Sequence, residues 1–140
     1  MRVMVIVKAT ADSEAGNFPS KEFIAEMGRF NEELIKAGVM LSGEGLHASA
    51  KGVRVRFEGG RSTVTDGPFT ETKELIGGFW LWQVKSIEEA IEWLRRSPFR
   101  KGNEELEIRR VFEVEEFGDN ATPEAKGQFV RQRERLGPKR

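Results

Sequence analysis

Two short apolar runs constrain the fold of this chain more than any other feature of its sequence. Residues 3–7 and residues 79–82 are unbroken apolar stretches that are too short for helices, a pattern that predicts strands covered on both faces. Residues 66–68, Asp-Gly-Pro, form a turn signal upstream of the second run, which Gly77 and Gly78 precede directly. We therefore expect a polar corner that leads into a central strand.

Three helices are predicted from apolar periodicity and capping residues. The first begins after Ser20 and ends at Gly38, and the second begins at Ser86, where Glu89 completes a predicted capping box. The third begins at Thr122 and is mostly polar, with a basic character that comes from Lys126, Arg131, Arg133, Arg135, Lys139 and Arg140. Because acidic residues are interspersed, this helix is expected to be solvated or to lie at an interface.

Further extended segments complete the predicted sheet. Residues 39–41 continue from the first helix as a strand, and residues 53–65 alternate around a Gly-Gly turn as a β-hairpin. Residues 106–114 form a last strand with one apolar and one polar face. Residues 10–19 are interpreted as a polar connection without a core of their own.

The order of these elements predicts an α+β fold. Strand, helix, strand, hairpin, strand, helix and strand correspond to a ferredoxin-like sandwich with an inserted β-hairpin and a C-terminal helix. The helices would cover one face of the four-stranded sheet. Since the central strands are apolar on their second face as well, a partner sheet is implied, and a second copy of the chain is the simplest partner. We therefore expect a homodimer.

Composition excludes several classes of function. Basic and acidic residues number 23 each, so no net charge attracts nucleic acid or an anionic membrane. The chain has no Cys and one His, which excludes thiol nucleophiles, cysteine-ligated metals and a multi-histidine metal site within one chain. No export signal or membrane span is recognised, so a cytoplasmic location is expected. No metal or other cofactor is expected.

The single histidine, His47, is the first catalytic candidate. Imidazole titrates near neutral pH, so His47 could act as general acid or base, and the alternative is a structural or surface-loop histidine. Asp66 could orient His47 or move a proton itself, and the alternative is a turn residue whose carboxylate bonds to nearby backbone.

A second group of residues is predicted to bind a substrate. Glu71 and Lys73 place charges of opposite sign close together, and they could bind a polar or anionic molecule or form solvated ion pairs. Substrate carboxylates could be bound by two cations at predicted strand ends, Lys8 and Arg109. Indole rings that could line a pocket, or belong to the core, are Trp80 and Trp82.

The central motif resembles a known family. Residues 66–74, Asp-Gly-Pro-Phe-Thr-Glu-Thr-Lys-Glu, followed by Gly78-Phe79, resemble the DGPF branch of the YCII-related family. The resemblance continues upstream through Gly45-Leu46-His47 and covers residues 1–118, which leaves residues 119–140 as a C-terminal helical extension. It implies a dimeric α/β barrel in which two ferredoxin-like sheets pack face to face.

The resemblance also implies a function. The family is similar to enzymes with a proposed His-Asp pair, and one member is associated with dehalogenation of an aromatic-derived acid. This predicts a cofactor-independent lyase, isomerase or dehalogenase acting on a small anionic molecule. His47 would move the proton, Asp66 would orient it, and Lys73 or Arg109 would hold the anion.

Two alternatives belong to other classes of function. Members of the DGPF branch are often encoded beside extracytoplasmic-function sigma factors, so the protein could be a non-enzymatic ligand-binding or regulatory partner that uses its basic C-terminal helix. A cofactor-free monooxygenase is known among dimeric α+β barrels, but the absence of Tyr and the single His disfavour it.

Overall fold

A computed structural model describes residues 1–137 of the chain, so Pro138, Lys139 and Arg140 lie outside the described residues. The chain divides into two compact units, residues 1–110 and a second unit that begins at Val111. The boundary predicted from the resemblance, between residues 118 and 119, lies within the second unit and stays a prediction.

The first unit contains six strands and three α-helices, and the described part of the second contains one α-helix. The strands are β1 Arg2–Lys8, β2 Met40–Gly45, β3 Val53–Glu58, β4 Arg61–Asp66, β5 Ile76–Gln83 and β6 Leu106–Arg110. The α-helices are α1 Ala11–Glu14, α2 Lys21–Lys36, α3 Ile87–Arg95 and, in the second unit, α4 Pro123–Leu136. Short 3₁₀ turns occupy Ser49–Lys51, Pro98–Lys101 and Val114–Asn120.

Four strands form the main sheet in the order β2-β5-β1-β6, and every neighbouring pair is antiparallel. This is the order of a ferredoxin-like sandwich, in which each of two βαβ halves supplies one central and one edge strand. The mixed α+β fold predicted from the sequence is therefore confirmed. The hairpin of β3 and β4 forms a separate two-stranded sheet, also as predicted.

The core lies between the main sheet and the helices α2 and α3. Val3 and Val5 of β1 stand opposite Trp82 and Trp80 of β5, so these four side chains share one face. Phe30 of α2 contacts both indoles edge to face, at 5.8 Å and 6.5 Å between ring centroids. The other buried members of this core are Leu34, Val39, Val84 and Ala90.

The second face of the central strands is also apolar. Met4 stands opposite Leu81 and Ile6 opposite Phe79, and strand alternation directs these side chains away from the helix-facing core. Met4, Phe79 and Leu81 are partly exposed. The partner sheet that the sequence implied for this face, and with it the dimeric barrel, stays a prediction.

Two segments have more regular structure than predicted. Residues 10–19 were interpreted as a polar connection, and within it Ala11–Glu14 form a single helical turn, which Thr10 caps by accepting a hydrogen bond from Ser13 N. The strand predicted at residues 39–41 instead runs to Gly45 as Met40–Gly45, because it continues to pair with β5 as far as Gly78. The sheet is therefore longer at this end than the apolar pattern indicated.

The last strand is shorter than predicted. Residues 106–114 were expected to be extended, but β6 ends at Arg110, which stands opposite Val3 near the start of β1. Beyond that point only Arg2 of β1 remains, and Val114 already begins a 3₁₀ turn. Phe112, assigned to the apolar face of the strand, is 69% exposed.

The predicted helix caps are largely confirmed. Ser20, Ser86 and Thr122 each accept a hydrogen bond from the backbone N–H three residues later, at 3.1 Å. The capping box at Ser86 is only half formed, because the Glu89 carboxylate accepts from the backbone N–H of Lys85 at 2.6 Å. The carboxylate thus satisfies the amide one residue before the cap.

Candidate functional site

Most of the residues that could bind or react with a ligand lie at one end of the main sheet. β1 ends there at Lys8, β2 ends at Gly45, and β5 begins at Ile76. Backbone bonds hold the connections together, since Leu46 N–H donates to Gly77 O at 2.9 Å and Ala9 N–H donates to Leu75 O at 2.8 Å. His47 follows Leu46 directly. We call this region the His47 end of the sheet.

A cleft of about 220 Å³ opens at the His47 end, between α2 and the strands β2 and β5. Its apolar lining residues are Val7, Met27, Phe79, Trp80 and Phe99. The remaining lining residues are Asn31, Glu44 and four glycines, Gly43, Gly45, Gly77 and Gly78. We call it the glycine cleft.

The cleft exists because glycines replace side chains in the last row of the sheet. Gly45 stands opposite Gly78, which stands opposite Val7, so two of these three strands contribute only backbone. A Cβ at Gly43 would lie 2.6 Å from Trp80 Cδ1, and one at Gly78 would lie 2.9 Å from Glu44 O. These two positions therefore require glycine for packing as well.

Gly77 has a different role, because the register between β1 and β5 shifts between Val7 and Lys8. Val7 pairs with Gly78 and Lys8 with Ile76, which leaves Gly77 as the extra residue of a β-bulge. The sequence left open whether the glycine pair served a bulge or a close approach. Gly77 forms the β-bulge, and Gly78 allows the backbone of β2 at Glu44 to approach closely.

Asn31 is the polar side chain of α2 that lines the glycine cleft. Its Oδ1 accepts a hydrogen bond from Trp80 Nε1 at 3.0 Å. Trp80 is buried, and its ring also contacts Phe30 and Phe99 edge to face. The amide of Asn31 is therefore positioned by a fixed indole.

A second, wider cleft of about 570 Å³ lies beside the first and shares Val7, Gly77 and Phe99 with it. Its other lining residues include Lys8, Thr10, Asp12, Ser13 and Ser20. The ammonium of Lys8 is 3.2 Å from a carboxylate oxygen of Glu107. A cation predicted to meet substrate is thus paired within the protein.

The 3₁₀ turn at Ser49–Lys51 holds the motif loop, residues 67–75. Ser49 donates two hydrogen bonds to Glu14, from its backbone N at 2.9 Å and from its Oγ at 2.5 Å. Its Oγ also accepts a hydrogen bond from the backbone N–H of Phe69 at 3.0 Å. The Ser49 bonds hold the pKa of the Glu14 carboxyl below its ordinary value. Three separate segments therefore meet at Ser49.

Gly67 allows the motif loop to approach this turn. A Cβ at Gly67 would lie 1.8 Å from Ser49 O, so only glycine fits there. Its backbone N–H donates to Gly52 O at 2.9 Å. The glycine of the Asp-Gly-Pro corner is thus required by contact with a segment well upstream.

Arg54 of β3 contacts the next part of the motif loop, at Phe69 and Glu71. Its guanidinium carbon lies 3.8 Å from the centroid of the Phe69 ring, and its Nη2 lies 3.3 Å from Glu71 Oε2. The pKa of Glu71 is lowered, first by its own backbone N–H and then by Arg54. Glu71 was predicted to bind substrate, and its carboxylate forms an ion pair with Arg54.

The two predicted catalytic residues are both exposed. His47 lies past the end of β2, and Asp66 is the last residue of β4, where it pairs with Val53. In the described part of the chain no hydrogen bond joins them. Lys73 is exposed in the motif loop and forms no ion pair among residues 1–137. The roles of these residues stay predictions.

The remaining predicted residues are divided between the two ends of the sheet. Trp80 lines the glycine cleft, whereas Trp82 is fully buried in the core and lines neither cleft. Arg109 stands opposite Met4 on β6, away from the His47 end, and is exposed.

Three residues with direct bonds at this end were not among the sequence candidates: Glu14, Ser49 and Asn31. Ser49 and Glu14 are 35 positions apart, and Asn31 and Trp80 are 49 apart. No spacing rule connects residues so distant, and the cap at Thr10, which orders the turn that carries Glu14, was not predicted from the sequence. Within residues 1–137 no cluster of three or more His, Cys, Asp or Glu side chains could hold a metal ion, and no helix could span a bilayer.

Comparisons with known proteins place these features in context. A family model described as the YCII-related domain matches residues 1–115. The chain is 44% identical over 41 residues to "Uncharacterized protein R00369" of Rhizobium meliloti (strain 1021), an alignment that spans 29% of this chain and 33% of that relative.

A solved structure is also similar to the chain. It is the 5-chloro-2-hydroxyhydroquinone dehydrochlorinase (TftG) from Burkholderia phenoliruptrix AC1100, in complex with 2,5-dihydroxybenzoquinone. Its sequence is 19% identical, and the superposition has a TM-score of 0.48 over 83% of this chain and 98% of that one.

Proposed function

The chain belongs to the YCII-related family, and from that premise we propose that it catalyses proton transfer on a small organic molecule, in a reaction of the lyase or isomerase type. The observation that carries the proposal is the glycine cleft, whose wall residue Gly45 lies two positions before His47. The only imidazole of the chain therefore lies two residues beyond the wall of a cleft whose volume, about 220 Å³, suits a single ring.

The backbone around His47 is held on both sides. Leu46 N–H is bonded to Gly77 O before it, and the Ser49 to Glu14 bonds follow two residues after it. The backbone is therefore anchored on both sides of His47, whose side chain is exposed. Catalytic hydrogen bonds often tighten only when the substrate is bound.

The proposed step begins with removal of a proton from a carbon of the bound molecule. His47 accepts that proton, and the electron pair forms a double bond to the neighbouring carbon. In a lyase the leaving group departs from that neighbour with its own electron pair. In an isomerase the neighbour's existing double bond breaks, its electron pair moves to a third carbon, and His47 returns the proton to that carbon. Asp66 would accept a hydrogen bond from the imidazolium and stabilise it.

The proposal is tested with deuterium exchange. Wild-type protein is incubated in D₂O with a panel of compact carbon acids, including β-keto acids, lactones and β-chloro ketones, and NMR and chloride release are followed. We expect exchange or turnover of at least one compound. His47→Gln should slow it by about 10²- to 10⁴-fold, the usual contribution of a general base. Asp66→Asn should have a smaller effect.

Glu88→Gln is the matched control, because Glu88 is an exposed carboxylate on α3, away from the His47 end. It should leave the rate unchanged. A His47→Gln variant with wild-type rates would rule out the assignment, as would a panel in which compounds bind but none exchanges a proton.

A regulatory role is the second candidate, and it is supported by the chemistry of α4. Its last turns carry the exposed Arg131 and Arg135, whereas Arg133 is paired with Glu113 at 2.8 Å. Such a helix suits an acidic protein surface, as proposed for a sigma-factor partner. A pull-down with full-length protein and with a chain lacking residues 119–140 tests it, and absence of sigma-factor association in both forms would count against it.

A further inference from the structure

We propose that Asn31 donates a hydrogen bond to the ligand of the glycine cleft, and that this ligand is a flat, uncharged ring bearing a carbonyl group. The inference rests on the proposed function only in placing a small molecule in this cleft. It concerns the chemistry of recognition, which neither the family nor the proton-transfer step defines.

The orientation of the Asn31 side chain is determined by its neighbour. An indole N–H is a donor only, so the Asn31 atom 3.0 Å from Trp80 Nε1 must be the carboxamide oxygen. The amide nitrogen therefore occupies the other branch of the side chain. In the described part of the chain it donates to no protein acceptor, so two N–H groups remain available where Asn31 lines the cleft.

The rest of the lining selects against charge. Among residues 1–137 no Lys or Arg lines the glycine cleft, and the one ionisable lining residue, Glu44, is acidic. An anion would lose hydration there and meet a carboxylate in place of a cation. The Asn31 amide is an uncharged hydrogen-bond donor, so its matching partner is an uncharged acceptor on the ligand. The sequence predicted an anionic molecule, and the lining instead favours an uncharged one.

The shape of the cleft favours a single ring. A closed cavity of about 150 Å³ accommodates benzene, so a cleft of about 220 Å³ holds one ring with a small substituent. Its walls include the aromatic rings of Trp80 and Phe99, against which a flat apolar body packs well. On the sheet side, the glycines present only backbone.

Gly45 controls how much of this space is available. Gly43 directs its Cβ position at Trp80 on the helix-facing side, and Gly45, two residues later, faces the same way. A Cβ at Gly45 would meet no atom within 4 Å and needs no unusual backbone angle. Gly45→Ala should therefore fold normally while placing a methyl group in the cleft.

Three probes of similar shape separate the contributions that the ring, the carbonyl acceptor and the charge make to binding. Acetophenone has a ring and a neutral carbonyl, ethylbenzene lacks the acceptor, and benzoate carries a charge. Binding to wild-type protein is measured by ligand-observed NMR. We expect acetophenone to bind at least about fivefold more tightly than ethylbenzene, the effect of one hydrogen bond. Benzoate should bind more weakly than acetophenone.

Two variants test the residues. Asn31→Asp keeps an acceptor for Trp80 but removes both amide donors, so acetophenone affinity should fall about tenfold while ethylbenzene affinity changes little. Gly45→Ala should weaken both rings. Gly28→Ala is the matched control, because Gly28 is an exposed position on α2 whose Cβ would also meet nothing within 4 Å.

Several results would overturn the inference: equal affinity for acetophenone and ethylbenzene, wild-type affinity in Asn31→Asp or Gly45→Ala, or no binding of any probe. Failure of the proposed function is distinguishable. If the rings bind as expected and no carbon acid exchanges a proton, only the catalytic proposal fails. If proton exchange occurs and Gly45→Ala leaves it unchanged, only the present inference fails.

Discussion

Ser49 is the residue through which the motif loop is tied to the sheet end. Its hydroxyl donates to Glu14 and accepts from the Phe69 backbone, so one oxygen serves two segments. The same turn receives Gly67, whose missing side chain lets the loop approach. Loss of this hydroxyl should therefore loosen the loop without opening the core.

Ser49→Ala tests this role. The substitution removes both side-chain bonds, and we expect the unfolding free energy to fall by about 2 kcal/mol, since the usual net value of one hydrogen bond is about 1 kcal/mol. Amide exchange at Phe69 should accelerate, as measured by NMR. Ser62→Ala, an exposed serine on β4, is the control and should change neither quantity. Unchanged exchange at Phe69 would show that the loop is held by other contacts.

The Ser49 to Glu14 contact should depend on pH. The folded state lowers the pKa of Glu14 below its ordinary value of 4.5, first through the Ser49 hydroxyl and then through its backbone N–H. The unfolded chain therefore binds the proton at higher pH than the folded chain does. The contact is fully present above pH 4.5 and is lost as the pH falls below that value, through the folded pKa.

NMR of the Ser49 and Phe69 amides between pH 7 and pH 3 measures this loss. We expect their shifts to titrate together, with a midpoint below 4.5. In Glu14→Gln the same amides should show no such titration, because the carboxylate is gone. A midpoint above 4.5 would contradict the assigned direction.

At the residue scale, the sequence predicted where the charged candidate residues lie better than it predicted which residues they contact. Lys8 and Glu71 lie at the sheet end and in the motif loop, but each is engaged by a charged partner, Glu107 or Arg54. Ser49 could not be predicted at all, because its bonds join segments whose proximity is created only by the fold.

Helix caps are the element-scale features that the sequence predicted most directly. Ser20 caps the 16-residue helix α2, which supplies Phe30 to the core and Asn31 to the cleft. The cap depends on one local hydrogen bond to Phe23 N. Its contribution can therefore be tested without altering either contact surface.

Ser20→Ala should lower the unfolding free energy by about 1 kcal/mol. In a domain of this size that corresponds to a decrease in Tm of roughly 4 °C, measured by circular dichroism. Ser20→Asp keeps a side-chain acceptor at the cap and should retain wild-type Tm. Equal losses in both variants would show that the serine acts through something other than capping.

Strand lengths were harder to predict than caps because pairing determines them. β2 extends through Ser42 and Glu44, which an apolar pattern omits, since β5 supplies backbone partners to its end. β6 stops at Arg110 although Phe112 continues its alternation, since β1 extends only one residue, Arg2, beyond the partner of Arg110. Strand propensity is a property of a single segment, whereas a β-ladder forms only where two segments pair.

The open face of the sheet is the main feature at the scale of the whole molecule. Met4, Phe79 and Leu81 present apolar surface on the side opposite α2 and α3. We propose that a second copy covers this face, as the resemblance implied. Apolar area on both partners would then be removed from water in one interface.

Light scattering coupled to size exclusion tests this assembly. We expect a mass of about twice the 15.9 kDa chain. Leu81→Glu places a charge on the open face and should shift the mass toward that of one chain. Ala25→Glu, on the exposed side of α2, should not. A wild-type protein that stays monomeric at high concentration would contradict the homodimer.

The position of Trp80 also equips the protein with an optical reporter. Because the chain has no tyrosine, its near-ultraviolet absorption and emission come mainly from three indoles. Trp80 and Trp82 lie 5.3 Å apart between ring centroids, close enough for their electronic transitions to couple and produce a paired circular dichroism band. Trp80 alone of this pair lines the glycine cleft. Occupancy of the cleft should therefore be visible spectroscopically, without any label.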